Sequence, residues 1–130
     1  ITTLGRDRFD YVISTAVLFL IEDMDEHARQ LASVIKPGGV YFGNFPDFWA
    51  KDSYKEMRDM INSNASVKVA HNRAEDIIGA FENHGFETRM KIMQPVNYFD
   101  ITTNSSWYAS VQDVIDMEYR HRYAFKFIKK

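Results

Sequence analysis

The chain has 130 residues, of which 45% are hydrophobic, 15% aromatic and 26% charged, a composition that can bury a core and excludes disordered, collagen-like and low-complexity classes. With 16 Lys and Arg against 18 Asp and Glu, the net charge of −2 gives no global basic field for nucleic acid or an anionic membrane. The absence of cysteine excludes disulfide frameworks, thiolate zinc sites, iron–sulfur clusters and cysteine nucleophiles, and it fits a reducing cytoplasm.

The first predicted unit is a strand, a helix and a second strand. Phe9–Ser14 is β-prone and nearly all apolar, as expected when both faces of a sheet are covered. The apolar connector Ala16–Ile21 follows, and it is far shorter than the roughly 20 residues that cross a bilayer. An acidic first turn then opens a helix that Lys36 closes and Pro37–Gly39 stops. Val40–Phe45 predicts the second strand, parallel to the first with a right-handed crossover.

The rest of the chain predicts three shorter helices and two strands. Capping signatures mark the helix starts: Ser53 with Glu56, Asn72 with Glu75, and Ser110. Alternating apolar residues over 86–92 predict a half-buried strand, and residues 123–128 predict the last strand. The stretch 96–109 is aromatic but aperiodic and is predicted to be an ordered loop.

The ends of the chain bear on its domain organisation. It begins at Ile1 without methionine and without a signal peptide, which suggests an artificial N-terminal boundary. No linker-like stretch divides the sequence, so residues 1–130 are predicted to form one domain.

Most motifs that carry catalytic chemistry are absent from the sequence. It contains no H-x-x-x-H, H-E-x-x-H or G-x-S-x-G pattern, so neither a metal site nor a hydrolase serine is expected. The pair Gly38–Gly39 precedes a strand and is interpreted as a helix terminator rather than a phosphate-binding loop. The acidic cluster Glu22–Glu26 could hold a metal or act in acid–base catalysis, but carboxylates at a helix start are the commoner explanation.

Four segments resemble one family in chain order. The segments Arg8–Leu18 and Val34–Phe42 are similar to the "FD-x-V-x-S" strand and the "LKPGG" turn of class I S-adenosylmethionine-dependent methyltransferases. Ala74–Phe86 resembles the family's next helix with its closing "GF", and Tyr123–Lys130 resembles its seventh strand. Two departures are mild: Ile35 replaces the usual leucine, and Phe19-Leu20 stands where histidines are frequent.

The resemblance implies the C-terminal half of such an enzyme, from the fourth to the seventh strand. The expected fold is α/β: a partial Rossmann-like methyltransferase fold with a mixed sheet of about four strands, the last antiparallel, and flanking helices. The family's glycine-rich cofactor loop precedes the matched segments, whereas only residues 1–8 precede Phe9 here. The chain is therefore expected to lack the main S-adenosylmethionine-binding loop and, by itself, to be inactive.

The resemblance also implies site residues. Four residues at the tip of the family's fourth strand map onto cofactor-binding positions: Ser14, Thr15, Ala16 and Val17. Each of these is equally compatible with a buried strand end that binds nothing. Five residues after the fifth strand are candidates for binding the methyl acceptor: Asn44, Asp47, Phe48, Trp49 and Tyr54.

No catalytic residue is assigned, because the sulfonium is already activated and a base is needed only if the acceptor must lose a proton. Residues Asn44–Asp47 superficially resemble the Asn-Pro-Pro-Tyr signature of amino methylases that act on nucleic acid or protein. That signature belongs after the fourth strand, so a small-molecule acceptor is favoured over nucleic acid. Four aromatics between the last two strands could form a lid, although core packing explains each equally well: Tyr98, Phe99, Trp107 and Tyr108.

Two other classes remain as alternatives. Phe9–Ser14 would be an unpaired apolar edge in such a half-fold, and such an edge invites pairing with another chain, so a homodimer through this strand, with or without strand swapping, is predicted. The first alternative is accordingly a non-catalytic binding or assembly module. A nucleotide-dependent oxidoreductase is disfavoured because no dinucleotide fingerprint is present.

Overall fold

Four strands form one mixed sheet in a computed structural model that describes residues 4–105 and 107–130. The strands are β1 (Phe9–Ser14), β2 (Ile35–Pro46), β3 (Phe86–Ile92) and β4 (Arg122–Lys129), arranged in the order β1-β2-β4-β3. β1 and β2 run parallel, whereas β4 runs antiparallel to both β2 and β3. The predicted mixed α/β sheet with an antiparallel last strand is confirmed.

The helices are α1 (Met24–Val34), α2 (Lys55–Asn64), α3 (Ala74–Asn83) and α4 (Val111–Arg120), with short 3-10 turns at Leu18–Leu20 and Asp52–Tyr54. Side chains cap two of these helices. Asp23 accepts from the N–H of Glu26 at 3.0 Å before α1, and Ser110 accepts from the N–H of Asp113 at 3.2 Å before α4. The predicted role of Ser110 is therefore confirmed. No helix of the described residues is long and apolar enough to cross a membrane.

The boundary between α1 and β2 differs from the prediction. α1 ends at Val34, and Ile35 already pairs with Phe9 of β1, so the prediction that Lys36 closes the helix and Gly38–Gly39 terminates it is wrong. The next paired residues are Tyr11 and Val40, which means that β2 bulges outward through residues 36–39. The pairing of Ile35 with the neighbouring strand outweighs the local helix-stop signal of proline and glycine.

Two predicted helix caps are also wrong. The hydroxyl of Ser53 donates to the carboxylate of Asp113 at 2.9 Å, and α2 has no side-chain cap. The amide of Asn72 donates to the carbonyl of Ile21 at 2.6 Å, while Asp76 receives the N–H of Arg73 at the start of α3. In both cases a distant, part-buried partner competes with the local backbone for the same side chain.

The main core lies between one face of the sheet and helices α1 and α3. Register places Phe127 of β4 opposite Tyr41 of β2 on this face, and both rings are buried with Phe81 of α3. Phe81 and Phe127 stack at a centroid distance of 3.8 Å. The opposite face is open: Tyr11 and Ile13 of β1 are 70% and 69% exposed.

A second core, formed by Phe48, Tyr54, Met57, Val69 and Met117, lies beyond the C-terminal end of β2. β3 is buried at only one end, because Phe86 is 1% exposed whereas Met90 and Ile92 are 44% and 48% exposed. The predicted half-buried alternation along the whole of β3 is therefore wrong. The predicted loop 96–109 contains neither helix nor strand where it is described, and Ser106 lies outside the described residues.

Candidate functional site

The C-terminal ends of β1, β2 and β3 meet at one edge of the sheet. A cavity of about 170 Å³ opens there, lined among others by Ser14, Thr15, Asn44 and Met93. Open α/β sheets bind their ligands outside the carboxyl ends of parallel strands. The structure thus brings two predicted cofactor-binding residues, Ser14 and Thr15, together with one predicted acceptor-binding residue, Asn44.

Asn44 also fixes the turn that leaves β1. Its Oδ1 accepts the backbone N–H of Ala16 at 2.8 Å, across two adjacent parallel strands. Ala16 has a φ of +56°, in the left-handed region that L-residues other than Gly, Asn and Asp rarely adopt. This hydrogen bond compensates for the unfavourable backbone conformation. Ala16 and Val17, the other two predicted cofactor-binding residues, do not line the cavity in the described part of the chain, and their role stays a prediction.

Gly43 of β2 lies against the segment that follows β1, where a larger residue would clash. A Cβ atom on Gly43 would lie 2.9 Å from Cδ1 of Leu18 and 3.5 Å from the phenol oxygen of Tyr41. Leu18 is fully buried, and its side chain packs directly against the backbone of β2 at Gly43. A hydrophobic strand pattern alone does not reveal this close approach.

The remaining predicted acceptor-binding residues lie in packed surroundings. Asp47 is 1% exposed and accepts from Nε of Arg73 at 2.9 Å. Phe48 and Tyr54 are buried members of the second core. Trp49 donates its indole N–H to the carbonyl of Ala70 at 2.8 Å. These four side chains do not line the 170 Å³ cavity in the described part of the chain, and their acceptor-binding role stays a prediction.

A buried polar network was missed by the sequence analysis. The ammonium of Lys51 donates to Asp113 and to Asp116, both at 2.7 Å, and Asp113 is 2% exposed. Hydrogen bonds from Lys51 and Gln112 lower the pKa of Asp116, and those to Asp113 and Asp116 raise the pKa of Lys51. The spacing of Asp113 and Asp116 on one face of α4 was a visible signal, but the sequence does not show that Lys51 lies opposite.

Beside this network, the phenol of Tyr54 and Nδ1 of His121 are hydrogen-bonded at 2.8 Å. Burial, followed by the charges of Asp116 and Asp113, raises the pKa of Tyr54, while burial lowers the pKa of His121. The phenol and the imidazole are therefore both neutral at neutral pH. The network connects α4 to the segment after β2, so it stabilises the second core rather than the cavity.

Lys51→Met is expected to lower the free energy of unfolding at pH 7 by about 2–3 kcal/mol, because Asp113 would remain buried without its cation. The folded-state pKa of Asp116 is depressed, so its contribution is present above the unfolded pKa near 3.8 and is lost as pH falls through the folded value. The difference in the free energy of unfolding between the unaltered chain and Lys51→Met should therefore become smaller in acid. Urea unfolding at several pH values measures both effects.

The control is Lys55→Met, which removes an exposed i,i+4 pair with Asp59. Its effect should stay within about 0.5 kcal/mol. Equal losses from Lys51→Met and Lys55→Met would contradict the assignment of a buried network.

The acidic cluster before and within α1 has a structural explanation. Asp23 caps the helix, and Glu26 accepts two hydrogen bonds from Arg29, both at 2.6 Å. The hydrogen bonds from Arg29 and then Gln30 lower the pKa of Glu26 to about 2. Within residues 4–105 and 107–130, no group of three or more His, Asp or Glu is placed to hold a metal ion.

Comparisons with solved structures define the fold. One chain in a methyltransferase–activator complex from Haloferax volcanii matches with a TM-score of 0.71 and 13% identity, over 95% of this chain and 55% of that one. An S-adenosylmethionine-dependent methyltransferase from Mesorhizobium loti matches with a TM-score of 0.67 and 13% identity, over 96% and 64%. Phosphoethanolamine N-methyltransferase 2 from Haemonchus contortus, bound to S-adenosylmethionine, matches with a TM-score of 0.66 and 16% identity, over 96% and 34%.

The chain thus has the fold of part of a Rossmann-like S-adenosylmethionine-dependent methyltransferase. It spans 55% and 64% of the first two structures, in agreement with the fragment that the sequence resemblance implies. No protein-family model and no curated protein matches the sequence. At these identities the similarity establishes the fold, while the reaction has to be argued from the site.

Proposed function

We propose that this chain forms part of an enzyme that transfers a methyl group from S-adenosylmethionine to a small molecule. The observation that carries the proposal is the cavity at the carboxyl edge of the sheet, where Ser14, Thr15 and Asn44 come together. This edge belongs to a fold that is shared with S-adenosylmethionine-dependent methyltransferases.

The cavity fits one portion of the cofactor. Sites that enclose a small ligand measure about 300–1,000 Å³, whereas this cavity measures about 170 Å³. Beside Ser14, Thr15 and Asn44 its lining is apolar, with Ile13, Phe42 and Phe125 among the residues, which suits an apolar portion of the cofactor. Ser14 and Thr15 would hold that portion, and the remainder would need further protein surface.

Methyl transfer requires little catalytic chemistry from the side chains that line the cavity. S-adenosylmethionine, when bound, supplies a methyl group already activated on its sulfonium. The residues at the edge of the sheet therefore act by orienting the two reactants and excluding water. The chain by itself is expected to be inactive, because it provides only one wall of such a site.

A small acceptor is favoured by charge and by comparison. The net charge of −2 offers no attraction for a nucleic acid substrate. Phosphoethanolamine, the acceptor named for one of the similar structures, is a small molecule. Asn44 is the acceptor-side candidate that lies at the cavity, so we assign it the first contact with the acceptor.

Calorimetric titration of S-adenosylmethionine tests the proposal. The chain should bind it weakly, or a longer parent chain should bind it when this one does not. Asn44→Ala should weaken the binding at least tenfold, since it releases the Ala16 turn, whereas the exposed Asn97→Ala should leave it unchanged. Failure of both chains to bind would overturn the enzyme proposal.

A homodimer is the second proposal, and the exposure of β1 favours it. Within the described residues β1 pairs on one side only, and Tyr11 and Ile13 are 70% and 69% exposed. An antiparallel copy of β1 with Val12 on the two-fold axis would place Tyr11 opposite the partner's Ile13, an aromatic and β-branched pair that stabilises sheets. This arrangement brings both exposed side chains into cross-strand contact and would also serve a non-catalytic binding module.

Light scattering across protein concentrations tests this dimer. Ile13→Lys should shift it to monomer, because a charge on the pairing face opposes edge association. Ile101→Lys, a substitution of an exposed isoleucine away from β1, should not change the mass. A clean monomer of the unaltered chain at high concentration would refute the dimer.

A further inference from the structure

Three side chains form a hydrogen-bonded row from the sheet edge into the main core. The hydroxyl of Ser14 on β1 bonds the phenol of Tyr41 on β2, and that phenol makes a longer bond of 3.4 Å to Nε2 of His27 on α1. Tyr41 is 1% exposed and stacks on Phe81 and Phe127, so its hydroxyl has little freedom to move. The row therefore links a residue of the candidate cofactor cavity to a histidine on the helix-covered face.

His27 lies between the aromatic core and a second cavity, in contact with Tyr41. Its ring meets Tyr41 edge-on at 5.9 Å and Phe81 of α3 edge-on at 6.4 Å. It lines a second cavity of about 650 Å³, whose charged groups are Glu22, Asp23 and Glu26 on its own side and Lys68 on the other. Burial lowers the pKa of His27 below its usual value near 6.5, so the ring is neutral at pH 7 and takes up a proton only at a more acidic pH than a free imidazole does.

The phenol of Tyr41, between Ser14 and His27, can donate only one hydrogen bond. Burial raises the pKa of Tyr41, which keeps the phenol neutral over the range in which histidine titrates. While Nε2 of His27 is unprotonated, the phenol donates to it, and Ser14 must donate its own hydrogen to the phenol oxygen. Once Nε2 carries a proton it donates to the phenol, whose hydrogen turns to Ser14.

We propose that Tyr41 is a positioning residue that reverses the hydrogen bond of Ser14 when His27 is protonated. Above the pKa of His27, the hydroxyl of Ser14 donates inward and can only accept from a ligand. Below it, Ser14 accepts from Tyr41 and its hydrogen is free to be donated. This inference deepens the proposed function, on which its ligand depends, by making the cofactor cavity sensitive to pH through a residue outside it.

The hydrogen-bonded row can be tested without any ligand, by NMR on the full chain titrated from about pH 8 into acid until His27 is protonated. The neutral ring of His27 should carry its proton on Nδ1, and the backbone amides of Ser14 and Thr15 should shift with the same midpoint as His27. A neutral ring protonated on Nε2 would overturn the proposal. So would amides at positions 14 and 15 that do not follow the titration of His27.

Tyr41→Phe isolates the hydroxyl, because it keeps the stacked ring. The response of Ser14 to the titration should disappear, while His27 continues to titrate. The matched control is Tyr54→Phe, which removes the other buried tyrosine–histidine bond, at 2.8 Å to His121, and should leave the response intact. A response that persists in Tyr41→Phe would refute the role of the phenol.

His27→Gln provides a second route if Tyr41→Phe does not fold. The acid-side shift of Ser14 should then be absent, and a shift that remains would refute the proposal. Binding of S-adenosylmethionine should change with pH in the unaltered chain and not in His27→Gln. If neither this chain nor a longer parent chain binds S-adenosylmethionine at any pH while Ser14 still follows His27, the proposed function fails but the proposed role of Tyr41 is supported.

Discussion

Replacement of Phe127 by alanine is expected to lower the free energy of unfolding by about 4 kcal/mol, a large part of the total for a domain of this size. Phe127 is fully buried on β4, between two neighbouring strands. Its ring stacks on Phe81 at 3.8 Å with an interplanar angle of 11° and also contacts Tyr41 and Phe86 at longer range. Alanine would leave a cavity bounded by rigid aromatic rings, which cannot relax into it.

Urea denaturation followed by circular dichroism measures this loss. The control is Tyr98→Ala, since Tyr98 is fully exposed and should change stability by no more than about 0.5 kcal/mol. A loss for Phe127→Ala below about 1 kcal/mol would mean that the aromatic stack is not the centre of the main core.

Gly39→Ala is expected to destabilise the fold by about 3 kcal/mol. A Cβ at position 39 would lie 2.6 Å from Cγ2 of Ile35, 2.8 Å from the carbonyl oxygen of Lys36 and 3.0 Å from that of Asp10. Two of these atoms belong to the backbone, one in the bulge of β2 itself and one in β1, so relieving the clash requires both the bulge and the neighbouring strand to shift. Since the pairing of these strands brings Ser14 and Asn44 together, the candidate site should be disturbed as well.

Gly38→Ala is the matched control, one residue away. A Cβ there would meet open space, and only the positive φ of +82° opposes it, at a cost of about 1 kcal/mol. Thermal unfolding of both variants separates steric clash from backbone conformation. If the two variants are equally stable, the close approach of β1 to the bulge is not what requires glycine at position 39.

The sequence predicted the candidate site in part. The resemblance pointed to Ser14, Thr15 and Asn44, because strand ends carry a recognisable local pattern, and the structure places all three at one cavity. It could not reveal Tyr41 as the link from Ser14 to His27, since a buried tyrosine in a strand looks like ordinary core. Hydrogen bonds between residues 14, 27 and 41 depend on how two strands and a helix pack, which no local signal encodes.

The richness in apolar and aromatic residues and the chain order of strands and helices were determined by the sequence alone, because the hydrophobic effect acts through local periodicity. Tertiary structure decided the boundaries and the partners. Ile35 belongs to β2 rather than to the predicted helix because it pairs with Phe9. Ser53 does not cap α2 because its hydroxyl bonds the buried carboxylate of Asp113. Tertiary structure also decided that Tyr11 and Ile13 are exposed, although the apolar sequence of β1 is typical of a strand covered on both faces. Periodicity predicts which residues prefer burial, whereas the elements packed around a strand determine which faces are covered.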